Sequence, residues 1–236
     1  MKHAIIKQGS WAITYDADLV DTVGVEYFSV DYWRARQALS GEGVGRGSAW
    51  FIQAPFGPVV LRRFLRGGWA AVLSRESYFY TGVSASRSFR EYHLLAELYA
   101  SGLPVPRPVA ALCRHRGLLS TGALMTVRIT AAKPLADLLT GDDPDAHVWA
   151  AVGRSIRRFH DAGVWHADLN VRNILMGAGS QVFLIDFDRA RYRPGTRVNG
   201  AGNLNRLKRS LRKHWPESTT SALPVAWSAL MAGYDE

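Results

Sequence analysis

Cysteine is almost missing from this chain: Cys113 is the only one in 236 residues. No intrachain disulfide can form, and a four-thiolate zinc site is excluded. That composition suits a reducing compartment. Long apolar runs are missing too. No stretch of about 18 apolar residues occurs, so no membrane-spanning helix is expected. The N-terminus, MKHAIIKQGSWAITYDAD, lacks the apolar core of a signal peptide. A location in the cytoplasm or on a membrane surface follows as the expectation. Negative charge is in short supply: 20 Asp and Glu stand against 29 Lys and Arg, a formal charge of +9. Such a surface selects acidic company, whether nucleic acid, anionic lipid or a phosphorylated substrate. There is no internal repeat and no low-complexity tract. With 47% hydrophobic residues, the chain has ample material for a core.

The first half reads as strands around one helix. VDYWRARQAL looks helical. SGEGVGRGSAWFIQAPFGPVVLRRFLRGG then reads as Gly-rich turn, strand, turn and strand. A helix follows, with Ser88 as its expected cap and Phe89, Tyr92, Leu95, Ala96 and Tyr99 at helical spacing. Gly102 and Pro104 stop it. VPRPVAALCRHRGLLSTGALMTVRI supplies two strands about a polar turn. PLADLLTG is a short helix, and the character of the chain changes near 130–135. This predicts an N-terminal part over 1–132 and a C-terminal part over 133–236. The second part opens on an amphipathic helix, DAHVWAAVGRSIRRFHDAG, with Val148, Ala151, Val152, Ser155, Ile156 and Phe159 on one face. The loop VWHADLNVRN, the short strand ILM and the strand QVFLIDF come next, then helices in LNRLKRSLRKHW and PVAWSALMAGY.

Four polar residues interrupt that apolar stretch: His166, Asp168, Asn173 and Asp186. Ionised carboxylates next to core residues either sit at element ends or converge on a cation, since burial without a partner is costly. The spacing has a chemical logic. A loop Asp can accept or orient the proton of an attacking hydroxyl. An Asn five residues on offers a neutral oxygen to a divalent cation, and an Asp at the end of a neighbouring strand offers an anionic one. Magnesium takes hard oxygen ligands and bridges phosphate oxygens, so the set suits phosphoryl transfer.

HADLNVRN followed by DFD resembles the protein-kinase fold, with its H-R-D-x-x-x-x-N loop and D-F-G motif. The resemblance implies an α+β, two-lobe architecture: a small antiparallel β-rich N-lobe that binds nucleotide and a mainly helical C-lobe that is catalytic and binds the acceptor. It implies Asp168 as catalytic base, Asn173 and Asp186 as magnesium ligands, and ATP as donor. Gly43, Gly45 and Gly47 stand where a phosphate loop precedes a strand, and Arg62 stands where kinases carry the lysine of V-A-I-K. Arg can pair with phosphate and carboxylate as a fixed fork rather than a point charge. Its partner is Glu91 or its competitor Glu97. Departures matter as well. Ala167 replaces the loop arginine, Asp188 replaces the glycine of D-F-G, and no A-P-E motif follows. These point away from protein substrates and toward a small molecule or glycolipid.

LRRFLRGG, REYHLL…SGLPVPRPVAA and WHADLNVRNIL…LIDFDRAR together look like the lipopolysaccharide kinase family, over about residues 40 to 215. That likeness implies transfer of the ATP γ-phosphate to a hydroxyl, taken as O4, of the 3-deoxy-D-manno-octulosonic acid (Kdo) residue of a lipid A precursor. It also implies work at the cytoplasmic face of the inner membrane, as a peripheral protein. The acceptor carries a carboxylate and phosphates, which the positive charge complements. Arg66, Arg172, Arg189 and Arg191 are the candidate acceptor contacts. In LNRLKRSLRKHW, Arg206, Lys208, Arg209, Arg212 and Lys213 are placed to meet an anionic surface. Leu204, Leu207, Leu211 and Trp215 either insert into that surface or bury in the helical lobe. Two other readings stand beside this one. A kinase of soluble small molecules, related to aminoglycoside or choline kinases, usually needs an acidic pocket, which +9 suits poorly. A non-catalytic basic nucleotide- or nucleic-acid-binding module would have no use for three site residues. No recognition helix or stacking motif suggests nucleic acid, and no obligate protein partner is implied.

Overall fold

A computed structural model of the chain describes residues 1–42, 49–64, 78–79, 82–117, 119–139 and 145–236. These form two compact units. Met1–Ala100 and Pro106–Arg128 make the first, and Ser101–Val105 and Ile129–Glu236 make the second. The excursion of Ser101–Val105 into the second unit has visible causes. Leu184 donates its N–H to Pro104 O at 3.1 Å, and Arg158 Nη2 donates to Gly102 O at 2.7 Å.

The first unit is built on β1 (His3–Gln8), β2 (Trp11–Asp16), β3 (Leu39–Glu42), β4 (Ala49–Ala54), β5 (Gly57–Arg63), β6 (Tyr78–Phe79), β7 (Pro108–Arg116) and β8 (Leu119–Val127). All pair antiparallel in the order β1-β2-β7-β8-β5-β4-β3, with β6 also on β8. Strand β5 alternates as a half-buried strand should, with Val59 and Leu61 inward. Ile13, Trp33, Ile52, Val109 and Met125 join them in the core. Trp33 lies on α1 (Val30–Ala35), a helix shorter than the VDYWRARQAL pattern predicts, because Gln37 takes a left-handed φ of 56° and ends it.

Helix α2 (Arg87–Ala100) lies against β7 and β8 and buries Phe89, Tyr92, Leu95, Ala96 and Leu98. Two expectations need correction. Ser88 is not the cap: it lies inside the helix, buried, and its hydroxyl donates to Leu112 O of β7 at 2.8 Å. Tyr99 is 40% exposed, and Leu98 takes the inward place. The helix approaches β8 so closely that a Cβ at Gly122 would lie 2.8 Å from Ser88 Oγ.

The second unit is mainly helical: α3 (Leu135–Leu138), α4 (Ala146–Asp161), α5 (Ala201–His214) and α6 (Leu223–Asp235). Its strands are short: β9 (Lys133–Pro134), β10 (Val164–Trp165), β11 (Ile174–Met176), β12 (Val182–Leu184) and β13 (Arg191–Tyr192). They pair as β12-β11-β9 and β10-β13, all antiparallel. Asp145 caps α4, its Oδ1 accepting from Val148 N at 3.0 Å. The buried stripe of α4 is Trp149, Val152, Gly153, Ile156, Phe159 and His160. It is rotated from the predicted face because α6 packs on the small residue Gly153 and Trp149 stacks on Trp215, ring centroids 5.5 Å apart. An antiparallel β-rich unit with a helix against it, and a helical unit carrying a β-hairpin, make up the α+β kinase-like organisation that the motifs imply.

Candidate active site

The loop between β10 and β11 alternates in burial, which explains its mixture of apolar and polar residues. His166, Leu169, Val171 and Ile174 are inside, while Asp168 and Arg172 are outside. The inward residues fasten the loop and the outward ones are left open to solvent. Its backbone is tied by its own amides. Asn170 Nδ2 donates to Asp168 O at 3.0 Å and to Asp168 Oδ2 at 3.1 Å, and Asn173 Nδ2 donates to Asp168 O at 2.9 Å. Asn170 Oδ1 accepts from Arg172 N at 2.9 Å, an Asx turn that bends the chain between the two.

His166 is the pivot. Its Nδ1 accepts from Asp168 N at 3.1 Å, so its Nε2 carries the proton and donates to Ile185 O at 3.0 Å. One imidazole thus joins the Asp168 turn to the strand that leads into Asp186. Burial pushes the His166 pKa down; the bond to Ile185 and the charges of Asp186 and Asp168 pull the other way without reversing it. The ring is neutral at physiological pH, as this bonding pattern requires.

Asn173 and Asp186 are brought together by the β11–β12 hairpin. Ile174 faces Leu184 across it, and Ile185 N donates to Asn173 O at 3.0 Å. Asp186 then turns out of the strand at φ 64°, a left-handed conformation that Asp tolerates better than most residues. Phe187 behind it is buried, edge-on to His166 with centroids 5.0 Å apart. Asn173 has its Nδ2 occupied, which leaves Oδ1 as its acceptor. Among the described residues no group of three or more His, Cys, Asp or Glu gathers into a metal cage. One carboxylate and one amide oxygen still fit magnesium, which keeps several waters and is held largely through substrate phosphates.

Helix α5 holds the loop from the other side. Asn203, fully buried, donates from Nδ2 to His166 O at 2.7 Å and accepts at Oδ1 from His166 N at 3.1 Å. The same Oδ1 accepts from His160 Nε2 at 3.1 Å, and His160 Nδ1 is 2.8 Å from the Tyr234 hydroxyl. One turn along α5, Arg206 Nη1 meets Asp168 Oδ1 at 3.0 Å. One turn further, Ser210 Oγ accepts from Val171 N at 3.3 Å. Asn203, Arg206 and Ser210 are spaced i, i+3 and i+7, one face of a helix. Sequence reasoning missed this face because the basic residues around it dominate the pattern.

On the first unit, Arg62 of β5 forms an ion pair with Glu91 of α2, whose carboxylate is buried. Glu97 faces solvent on the same helix and is not the Arg62 partner. Arg172 and Arg189 are exposed, Arg189 with φ 60°. Arg191 is exposed on β13, its guanidinium 5.5 Å from the Trp165 ring. Gly43, Gly45, Gly47 and Arg66 lie outside the described residues.

The lipopolysaccharide kinase (Kdo/WaaP) family model matches residues 30–234. The chain is 41% identical, over 97% of its length and 91% of the relative's, to a 3-deoxy-D-manno-octulosonic acid kinase of Stenotrophomonas maltophilia. It is 40% identical to the enzyme of the same name from Xylella fastidiosa, over 95% of this chain and 89% of that one. For the Vibrio vulnificus enzyme of that name the identity is 35%, covering 96% of each chain.

Proposed function

Because the chain belongs to the lipopolysaccharide kinase (Kdo/WaaP) family, we propose that it transfers the γ-phosphoryl group of ATP to O4 of the Kdo residue of a lipid A precursor. The observation that carries this reading is the state of Asp168. Its carboxylate is 57% exposed, oriented at Oδ1 by Arg206 and at Oδ2 by Asn170, and its backbone is fixed through His166. Each carboxylate oxygen keeps a lone pair, so Asp168 can accept the proton of an acceptor hydroxyl. The hydroxyl oxygen then forms a bond to the γ-phosphorus, the bond from that phosphorus to the bridging β–γ oxygen breaks, and ADP departs.

Asn173 and Asp186 would hold magnesium, which neutralises phosphate charge when bound. Arg62, fixed by Glu91, serves the nucleotide phosphates as a rigid fork. Gly43, Gly45 and Gly47 offer backbone N–H groups to the same phosphates, and Arg66, Arg172, Arg189 and Arg191 serve the acceptor's anionic groups. The acceptor is a lipid, and no helix among the described residues is long and apolar enough to cross a membrane. We propose that the enzyme works from the cytoplasmic face of the inner membrane, held there by charge, a reading that the formal charge of +9 supports.

Transfer of radiolabelled phosphate from ATP tests the whole reading, with Kdo-lipid A, free Kdo, an aminoglycoside and a generic protein side by side. Label on the Kdo-lipid A acceptor alone is the expected result. Label on the aminoglycoside but not on the Kdo acceptors overturns it in favour of a kinase of soluble small molecules.

A further inference from the structure

We propose that Arg206 determines acceptor specificity by receiving the carboxylate of the acceptor sugar, next to the hydroxyl that Asp168 serves; this rests on the function proposed above. Three observations point there. First, Arg206 reaches the candidate base from a different element. It projects from α5, while Asp168 lies in the loop after β10, and the two meet at 3.0 Å. Second, only one guanidinium N–H is spent. Nη1 bonds Asp168 Oδ1, and among the described residues the rest of the fork has no other hydrogen-bond partner. Both side chains are about half exposed, at 47% and 57%. An ion pair so open to water contributes little to folding. Third, the base of the Arg206 side chain is rigidly placed. Asn203 and Ser210 on the same face are bonded to the loop, and Leu207 beside them is buried.

The chemistry of the acceptor completes the argument. Kdo is a sugar acid, whose carboxyl group sits on the ring carbon two away from the carbon bearing O4. The carboxylate and O4 are thus neighbours on one ring, and a guanidinium that already bonds the base serving O4 is within reach of a group so placed. A planar fork matches a carboxylate through two parallel hydrogen bonds, with charge assistance that an ammonium gives only as a point. The contact would also discriminate. A sugar lacking the carboxylate leaves the guanidinium paired with Asp168 alone, and nothing replaces the lost bonds.

The test compares two acceptors on three enzymes: Kdo-lipid A and its Kdo methyl ester, with wild type, Arg206→Gln and Arg206→Lys. Wild type is expected to prefer the free acid in kcat/KM by on the order of ten- to a hundredfold, the range of a charge-assisted pair. In Arg206→Gln that preference should collapse to within about threefold, through a raised KM for the free acid. KM for ATP should not move. Arg206→Lys should keep part of the preference, because charge remains while the fork is lost. Two results overturn the proposal. One is an equal fall for both acceptors with the preference intact, which makes Arg206 only a positioning residue for Asp168. The other is a rise confined to KM for ATP, which places the guanidinium on the nucleotide phosphate. A wild type inactive on both Kdo acceptors but active on another alcohol removes the proposed function first, and this inference with it.

Discussion

Asp168 and Asp186 flank one neutral imidazole, and single substitutions separate the different tasks proposed for them. Asp168→Ala should reduce transfer by several orders of magnitude while nucleotide affinity stays within about twofold, because the role proposed for the carboxylate is toward the acceptor hydroxyl. Asp186→Ala should instead weaken magnesium-dependent nucleotide binding, read by titration calorimetry with and without magnesium. Turnover near wild type in Asp168→Ala would remove the base assignment. The histidines behind these acids carry a second consequence. His160 and His166 are both held below their ordinary pKa, chiefly by burial. A depressed pKa means that the unfolded chain binds protons which the folded chain refuses. The stability that the neutral rings contribute is complete above the unfolded value of about 6.5 and is lost as pH falls from there toward the folded values. Urea denaturation between pH 7.5 and 5 should show a falling free energy. His160→Gln, which cannot take up a proton, should make that decline shallower.

Helices α4 and α6 meet where glycines leave room. A Cβ at Gly153 would stand 2.0 Å from Leu230 O, and one at Gly233 would stand 2.2 Å from Ala150 O. In each case the obstacle is backbone of the other helix, so no rotamer change relieves it. Gly153→Ala should therefore cost at least about 2–3 kcal/mol, although alanine is the better helix former in isolation. Thermal denaturation measures this directly: a melting temperature unchanged or raised by the substitution would contradict the close crossing. The same packing has a functional side. Tyr234 of α6 bonds His160 of α4, and His160 bonds the Asn203 that holds the loop. Spreading α4 and α6 should therefore lower turnover in step with stability.

The net charge of +9 acts at longer range than any of these contacts. Helix α5 keeps Arg209, Arg212 and Lys213 exposed, and Lys208 Nζ lies 5.0 Å from the Trp227 ring. Its apolar side is not available for insertion. Leu207 and Leu211 are fully buried, Leu204 and Trp215 nearly so, and Arg206 is engaged with Asp168. Membrane attachment through this helix must then be electrostatic, with each basic residue near an anionic surface worth about 1 kcal/mol. Flotation with phosphatidylglycerol-rich vesicles should recover the protein at low salt and release it near 0.5 M salt, where screening is nearly complete. A triple Arg209→Gln, Arg212→Gln, Lys213→Gln variant should float poorly at low salt. Retention of wild type at high salt would instead require apolar insertion by another segment.

Short-range pattern was enough for much of this protein. The alternation of β5, the turn before it and the apolar spacing of α2 are all legible in order, because strand and helix periods depend on neighbouring residues. HADLNVRN and DFD put the proposed base and metal ligands on one loop and hairpin, and the short antiparallel pairing of β11 with β12 between the two motifs brings Asn173 beside Asp186. Other features depend on residues distant in sequence. Nothing local distinguishes Glu91 from Glu97; the facing strand does, by bringing Arg62 to one side of α2. Nothing local tells Trp149 to turn inward, since its partner Trp215 arrives much later in the chain. The basic run on α5 suggested a surface helix whose leucines had two possible destinations. Folding sends the leucines inward, spends Asn203, Arg206 and Ser210 on a loop some forty residues earlier, and leaves only the outer charges for a surface. A helix's period tells which residues share a face; which face meets which partner depends on the burial of the chain as a whole.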